Sequence, residues 1–371
     1  MNRMRHVGSG DITLIFLSLA LLGVYLIAFR ASLLPPRFSY DGIRIQQIAQ
    51  GLVSSPSDPS YGRVGLAYRA LHLADERFLA GLAGFAAYFA CTVYACRQLH
   101  WKITWPWTLA AVVGLALAAI YLGFYSKDVF VVPVTAMIMS NRRPVATYGA
   151  VAAMVAYALL FRSYWLIVAG LFCMCWLAVR FGRRRLRMRL RMRLAITVVV
   201  GLCVVAVAYS VVNGAEIGSI RVDLNADRLG SADAASAIPT FVPGSGLPLQ
   251  LVNLLVTLLF LAFPVPLLAL GSLYQLASGL LIASLWLAFL RVTLARGSST
   301  ETSLPHWRRA SLIAYPVAFV ATQALFEPDY GSALRHLTPV LPCMLLALGL
   351  FARAIGDRAG ESGRSETPAV A

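Results

Sequence analysis

Apolar residues in this chain come in runs of roughly 16 to 22, parted by short charged corners, and the pattern recurs from one end to the other. As a helix, each run is long enough to cross a hydrocarbon core roughly 30 Å thick. The clearest are Ile12 to Phe29, Phe78 to Cys96, Ile103 to Tyr125, Pro144 to Phe161, Tyr164 to Val179, Leu194 to Val212, Ser311 to Phe326 and Leu337 to Phe351. Between Asp128 and Asn141 only 12 apolar or small residues intervene. A helix of that length is about 18 Å long and does not span. The stretch from Leu247 to Leu290 has two solutions. It forms two full spans, or a re-entrant piece broken at Phe263-Pro-Val-Pro266 and then one span. Irregular backbone at membrane depth is permitted only where protein or a cavity covers it.

The pattern predicts an all-α fold, a polytopic integral membrane helix bundle of about 10–11 transmembrane segments. It forms one domain over residues 1–352, followed by a polar, disordered tail over 353–371. The first run follows Arg3 and Arg5 with no small-residue cleavage site after it, so it is expected to stay as a helix. Two polar segments, Arg30 to Arg77 and Asn213 to Gly246, are expected outside the membrane.

Composition agrees: 59% of the 371 residues are hydrophobic and 13% charged, with a mean hydropathy of +0.73, well outside the range of soluble domains. The cysteines, Cys91, Cys96, Cys173, Cys175, Cys203 and Cys343, all lie inside apolar runs, where the residue behaves as a small hydrophobe. Neither a disulfide nor a metal site is expected.

The net charge of +16 raises nucleic acid as a partner, but its distribution argues otherwise. With one span in Leu247 to Leu290, all the basic loops fall on one side, including Arg180 to Arg193 with eight arginines in fourteen residues. That side then holds 21 of the 32 Lys and Arg and five of the 16 acids, so the whole excess lies on it. The positive-inside rule makes it cytoplasmic, with both termini, and the arginine block meets anionic lipid headgroups. No folded domain with aromatic platforms accompanies the charge, so nucleic-acid binding is not expected.

On the opposite side this topology places three tight corners: Lys127-Asp128, Arg162-Ser163-Tyr164, and the decapeptide Glu327-Pro-Asp-Tyr-Gly-Ser-Ala-Leu-Arg-His336. The segment holding Asp41-Gly-Ile-Arg44 faces the same way. Ionisable groups at the ends of short membrane helices are costly and mark functional sites by default. Helices shorter than the bilayer surround a depression, so the corners are expected to line one polar cavity. Its cations would be Lys127, Arg162, Arg335 and Arg44, its carboxylates Asp41, Asp128, Glu327 and Asp329. Arginine grips phosphate oxygens bidentately and keeps its charge when desolvated. Such groups stabilise a departing diphosphate, and a nearby carboxylate takes the proton from an attacking hydroxyl. The same set suits a phosphatase or a flippase. His336 is an acid, a base or a hydrogen-bonding partner of its neighbours, and Asp41 with Arg44 also reads as an ion pair on an interfacial helix. With no Walker loop, GxGxxG, HExxH or Asp-x-Asp near the first span, a metal-independent reaction without cofactor is expected.

Four stretches occur in a telling order: Tyr40-Asp-Gly-Ile-Arg-Ile-Gln-Gln-Ile48, Tyr125-Ser-Lys-Asp-Val-Phe130, Phe161-Arg-Ser-Tyr-Trp165 and Tyr330-Gly-Ser-Ala-Leu-Arg-His-Leu-Thr-Pro339. That order resembles bacterial polysaccharide repeat-unit polymerases of the Wzy type, which serve O-antigen, capsule and exopolysaccharide synthesis. The resemblance implies a glycosyltransferase-C-like bundle in the inner membrane, acting on undecaprenyl-diphosphate-linked oligosaccharides at the periplasmic face. It also implies membrane lipid, a flippase and a chain-length regulator as partners. By it Arg162 and Arg335 would hold the donor diphosphate with Lys127 assisting. Asp128 or Glu327 would orient or deprotonate the acceptor, and Asp41, Arg44, Tyr164, Tyr330 and His336 would bind substrate. The chain departs from many such polymerases in having no very long periplasmic loop. Alternatives on the same residues are another lipid-linked-sugar transferase or ligase, or a transporter of lipid-linked oligosaccharide. A transporter of repeated halves should pair its broken helices, and Phe263-Pro-Val-Pro266 has no clear partner.

Overall fold

A computed structural model describes residues 8–54, 59–141, 143–185, 190–213, 236–242, 244, 246–269, 273–293 and 304–362. Among them the regular structure is all helical, with no strand beyond one isolated bridge between Ala237 and Asp329. In chain order the helices are α1 (Ser9–Ala28), α2 (Arg30–Leu33), α3 (Tyr40–Gln50), α4 (Pro59–Ala70), α5 (Arg77–Gln98), α6 (Trp105–Tyr121), α7 (Val132–Ser140), α8 (Pro144–Leu160), α9 (Trp165–Arg185) and α10 (Leu190–Asn213). There follow α11 (Leu247–Ala262), α12 (Val265–Ala269), α13 (Leu273–Thr293), α14 (His306–Phe326), α15 (Tyr330–Leu337) and α16 (Leu341–Ser362).

Among the described residues six segments are long and apolar enough to cross a membrane: those of α1, α5, α10, α13, α14, and α15 continuing into α16. Four shorter apolar helices, Trp105–Tyr121, Pro144–Leu160, Trp165–Phe181 and Leu247–Ala262, join them. Such a set is that of a multi-pass membrane protein. The charge census above draws partly on residues 1–7, Arg142, 186–189, 294–303 and 363–371, and most of the second polar segment (214–235) also lies outside the described residues.

The bundle has a centre and a rim. The most apolar window of α14 is 89% buried, against 22% in α1 and α10. The sequence of α14 explains its place: Ala310, Ala314, Ala318, Ala321 and Ala324 are small and recur at helical spacing, letting neighbouring backbones come close. By contrast α1 and α10 present Leu14, Leu17 and Leu21, and Val200, Val204 and Val207, outward. In water these faces would be a large liability; against acyl chains they are matched. Polar side chains tie the interior together. Thr135 on α7 meets Tyr315 on α14 at 3.0 Å, and Asn141 donates to Thr147 at 2.6 Å and Ser311 at 3.3 Å.

Two departures from a simple row of spans position the site. First, the short run after Asp128 forms a 3-10 turn (Lys127–Val131) and then α7, a half-length helix packed against α5, α8, α14 and α16 with Pro133, Met137 and Ser140 left exposed. Second, the polar segment Arg30 to Arg77 folds into a helical hairpin, α3 against α4, with its own small core of Ile45, Ala49, Val64 and Tyr68 seated on Tyr125. Beneath it, α5 meets the chain leaving α6 backbone to backbone. A Cβ added at Gly81 would lie 2.3 Å from the Gly123 carbonyl oxygen, and one at Gly84 2.4 Å from that of Leu122. Glycine is required at both positions for the corner to sit this deep.

The stretch Leu247 to Leu290 breaks at Phe263-Pro264, as the prolines demand. Only its second part, α13, has the length of a span. The irregular residues 241–242 lie along α11, where the Asn253 side chain accepts from the N–H groups of Phe241 (2.9 Å) and Val242 (3.1 Å). Phe241 also packs on Phe260 with ring centres 4.6 Å apart.

At the other end α16 runs past Arg353 to Ser362, and Arg353 donates to the carbonyls of Leu99 and Lys102, fastening this turn to the loop between α5 and α6.

Candidate functional site

Each charged corner is shaped by its own local sequence. Ser126 begins the 3-10 turn, its hydroxyl accepting from the Asp128 N–H at 3.1 Å. Tyr68 of the hairpin donates to the Ser126 carbonyl (3.1 Å) and Tyr157 of α8 to that of Lys127 (3.2 Å). The corner between α8 and α9 is set by Phe161 stacked on Phe130, ring centres 4.7 Å apart, and by the fully buried Trp165. Glu327 ends α14, since Pro328 cannot continue it. Asp329 then caps α15, accepting from the Ser332 N–H at 2.7 Å.

A distant strap holds that last corner. The Ile238 N–H donates to the Pro328 carbonyl (2.8 Å) and the Tyr330 N–H to the Ser236 carbonyl (3.0 Å). The turn between Glu327 and α15 is thus pinned by residues about 90 positions away, at the end of a segment read from sequence as a plain loop.

These corners and α3 converge. Arg335 bonds Asp41 through Nη1, and its Nε lies 3.5 Å from Asp128 Oδ2. Arg162 Nη1 lies 3.7 Å from Asp128 Oδ1 and donates to Tyr164 Oη at 2.7 Å and to His336 Nε2 at 3.0 Å. Arg335 also reaches that nitrogen, at 3.3 Å. Because arginine only donates, His336 Nε2 accepts, which places the ring proton on Nδ1, 2.8 Å from Glu327 Oε2. The other oxygen, Oε1 of Glu327, is buried with no hydrogen-bond partner among the described residues. Lys127 donates to Ser60 Oγ at 3.2 Å and sits 3.4 Å from the centre of the Tyr61 ring, while Tyr61 donates to Asp41 at 2.6 Å.

Asp128 is the hub, buried and facing cations from three segments. Burial alone would raise its pKa. His336 when protonated, then Arg162, Arg335 and Lys127, outweigh burial and hold the carboxyl below its ordinary value. Asp41 behaves alike: burial pushes up, but Arg335, the Tyr61 hydrogen bond and Lys127 prevail and its pKa is lowered.

Of the residues expected in the cavity, Asp41, Lys127, Asp128, Arg162, Tyr164, Glu327, Arg335 and His336 share one network. Two of the expected residues take further partners. Asp329 serves as a helix cap, its side chain answering the backbone of α15. Asp41 pairs with Arg335 and Tyr61, whereas Arg44 is exposed at the rim above the Tyr61 ring, 5.0 Å from its centre. Tyr330 is buried and ties to the strap through its backbone. Sequence reasoning missed Ser60, Tyr61 and Ser236, since nothing in their spacing sets them apart from ordinary loop residues. It also passed over Arg30, whose only signal is a cation directly after an apolar run.

The network is closely balanced, three carboxylates (Asp41, Asp128, Glu327) beside three cations (Lys127, Arg162, Arg335). It is not sealed. A small polar cleft, with about 30 Å³ of space for water, reaches Asp41, Ser126, Lys127, Asp128 and Arg335. Glu327, His336 and Arg162 stand behind that wall. The described residues contain no group of three or more His, Cys, Asp or Glu suited to a metal ion. No protein-family model, curated protein or solved structure matches the chain.

Proposed function

We propose that the cluster is the reacting centre of a glycosyltransferase that extends a polysaccharide by joining lipid-diphosphate-linked oligosaccharides. One observation carries this: a single cleft wall presents fixed cations (Lys127, Arg335) and carboxylates (Asp41, Asp128) side by side. A diphosphate leaving group needs the first and an acceptor hydroxyl the second. The acceptor oxygen bonds to the anomeric carbon of the donor sugar, and the carbon–oxygen bond to the diphosphate breaks. The electron pair leaves with the lipid diphosphate, and the acceptor proton passes to a carboxylate. At rest Asp128 is a poor base, because its neighbours depress its pKa. A bound diphosphate draws Lys127 and Arg335 to itself and adds negative charge, and both changes raise the basicity of Asp128. Donor binding thereby readies the base. Behind it, Glu327 and His336 hold Arg162 against the far side of the carboxylate.

The reading is tested with purified chain in liposomes, supplied with an undecaprenyl-diphosphate-linked oligosaccharide. The expected product is a ladder of lengthened glycans with release of one lipid diphosphate per addition. Movement of the lipid-linked sugar across the bilayer without lengthening would make the protein a transporter instead.

The same reading places the cluster on the periplasmic side of a bacterial inner membrane, with both termini in the cytoplasm. Single cysteines replacing Gln47 and Ser163, both exposed near the cluster, should react with a membrane-impermeant maleimide on intact spheroplasts. A cysteine at Arg97, exposed at the end of α5, should react only after lysis. The reverse pattern would turn the protein over in the membrane.

A further inference from the structure

Arg30 is buried at the start of α2, just past α1 where the chain turns toward the hairpin, and lines the same polar cleft as Asp41, Lys127, Asp128 and Arg335. Among the described residues no carboxylate pairs with it. Its Nε donates to Ser39 Oγ (3.2 Å), Nη1 to the carbonyls of Ile120 (2.6 Å) and Ala119 (3.5 Å), and Nη2 to the carbonyl of Phe38 (2.6 Å). The guanidinium also lies over Phe124, 5.2 Å from the ring centre. All these partners are uncharged. Burial lowers its pKa to about 10, which leaves it protonated at neutral pH. A buried cation without a counter-ion is costly, and four neutral hydrogen bonds replace lost water without cancelling the charge. Counting the ionisable groups that line the cleft, Arg30, Lys127 and Arg335 stand against Asp41 and Asp128, a surplus of one positive charge. Arg162 is absent from this lining and is engaged by Asp128, Tyr164 and His336.

We infer that the cleft is an anion subsite for a phosphate or diphosphate group, in which Arg30, Lys127 and Arg335 form the cationic face and Arg30 supplies the uncompensated charge. The inference rests on the glycosyl-transfer reading only for the identity of the ligand as the diphosphate end of a lipid donor. The built site stands on its own geometry. It moves the donor-holding role expected of Arg162 to Arg30. With four of its five N–H groups engaged, Arg30 acts chiefly through its field, while Lys127 and Arg335, rearranging from their carboxylates, supply direct contacts.

The test is direct binding to the full-length protein in nanodiscs of neutral phosphatidylcholine, with inorganic pyrophosphate, farnesyl diphosphate and farnesol as probes. Both phosphate probes should bind and farnesol should not compete with pyrophosphate. Tighter binding of farnesyl diphosphate than of pyrophosphate identifies a lipid headgroup as the source, and equal binding a free phosphate. Arg30→Gln should weaken pyrophosphate binding by about tenfold or more, the effect of about 1.4 kcal/mol. Asp41→Asn removes a negative charge from the same wall and should strengthen binding severalfold, a gain that misfolding does not produce. Arg30→Lys should keep most of the affinity.

Unchanged affinity in Arg30→Gln, no gain in Asp41→Asn, or no phosphate binding by the wild type would overturn the inference. If both shifts occur and no glycan is lengthened, the subsite stands and the transferase reading fails. If glycans lengthen while Arg30→Gln binds pyrophosphate as the wild type does, the transferase reading stands and the subsite fails.

Discussion

Asp128→Ala should cost the folded protein about 3–5 kcal/mol, because removing one partner of a buried ion pair strands the charges left behind. Here the stranded charges are Arg162, at 3.7 Å, and Arg335, at 3.5 Å, on opposite sides of one carboxylate that is 3% exposed. With Asp128 gone they repel across the space it filled. Asp128→Asn keeps the volume and one acceptor oxygen, so it should lose less. Thermal unfolding in detergent should therefore rank wild type above the asparagine variant and the asparagine above the alanine. Equal melting temperatures for all three would remove Asp128 from the hub. Acid should tell the same story. The carboxyl titrates below its ordinary value of 3.8 in the folded chain, so its stabilisation is complete above that value. It fades as pH falls through the lower folded pKa, where the unfolded chain binds the proton more readily. The asparagine variant, with nothing to titrate there, should lack that part of the acid limb.

On the glycosyl-transfer proposal, Arg335→Ala is expected to reduce chain extension by about 10²–10³-fold, the usual cost of losing one preorganised donor aimed at developing charge. Arg335 is the residue to choose, because it alone bonds the hairpin through Asp41, the hub through Asp128 and the edge of His336. Its side chain is also a quarter exposed, on the cleft wall, whereas that of Arg162 is shut behind it at 9%. A lysine restores charge without the planar fork, so Arg335→Lys should recover only part of the activity. The measurement is the rate at which a labelled lipid-linked oligosaccharide enters longer products, at matched amounts of folded protein. A normal glycan ladder from the alanine variant would separate the cluster from catalysis and leave it the role of clamping α3 to the bundle.

Much of the architecture follows from periodicity alone. Runs of about 20 apolar residues have one stable form in lipid, and the boundaries expected for α5, α8 and α10 fall within a few residues of those observed. The break at Phe263-Pro264 was equally legible, because proline removes a donor and its ring disfavours a continuing helix, here with a second proline two residues on. That charged corners such as Lys127-Asp128 and Arg162-Ser163 interrupt these runs is also visible, since an ionised side chain must leave the hydrocarbon or find a partner. Local order and the sites of charge were therefore properties of the sequence.

Tertiary structure decided which charges meet. Asp41 and Arg44 lie one helical turn apart, yet Asp41 turns to Arg335, nearly 300 residues away, because the hairpin packs its apolar face on Tyr125 and brings α3 over α15. Asp329 looked like a site carboxylate beside Glu327, but the free N–H groups at the start of α15 claimed it. Arg30 was indistinguishable from any basic residue flanking a span until the end of α6 supplied the carbonyls that bury it without neutralising it. Helices form from neighbours within a few residues, so their positions are written locally. Ion pairs and clefts form from approaches between distant segments, and only the packed bundle brings those together.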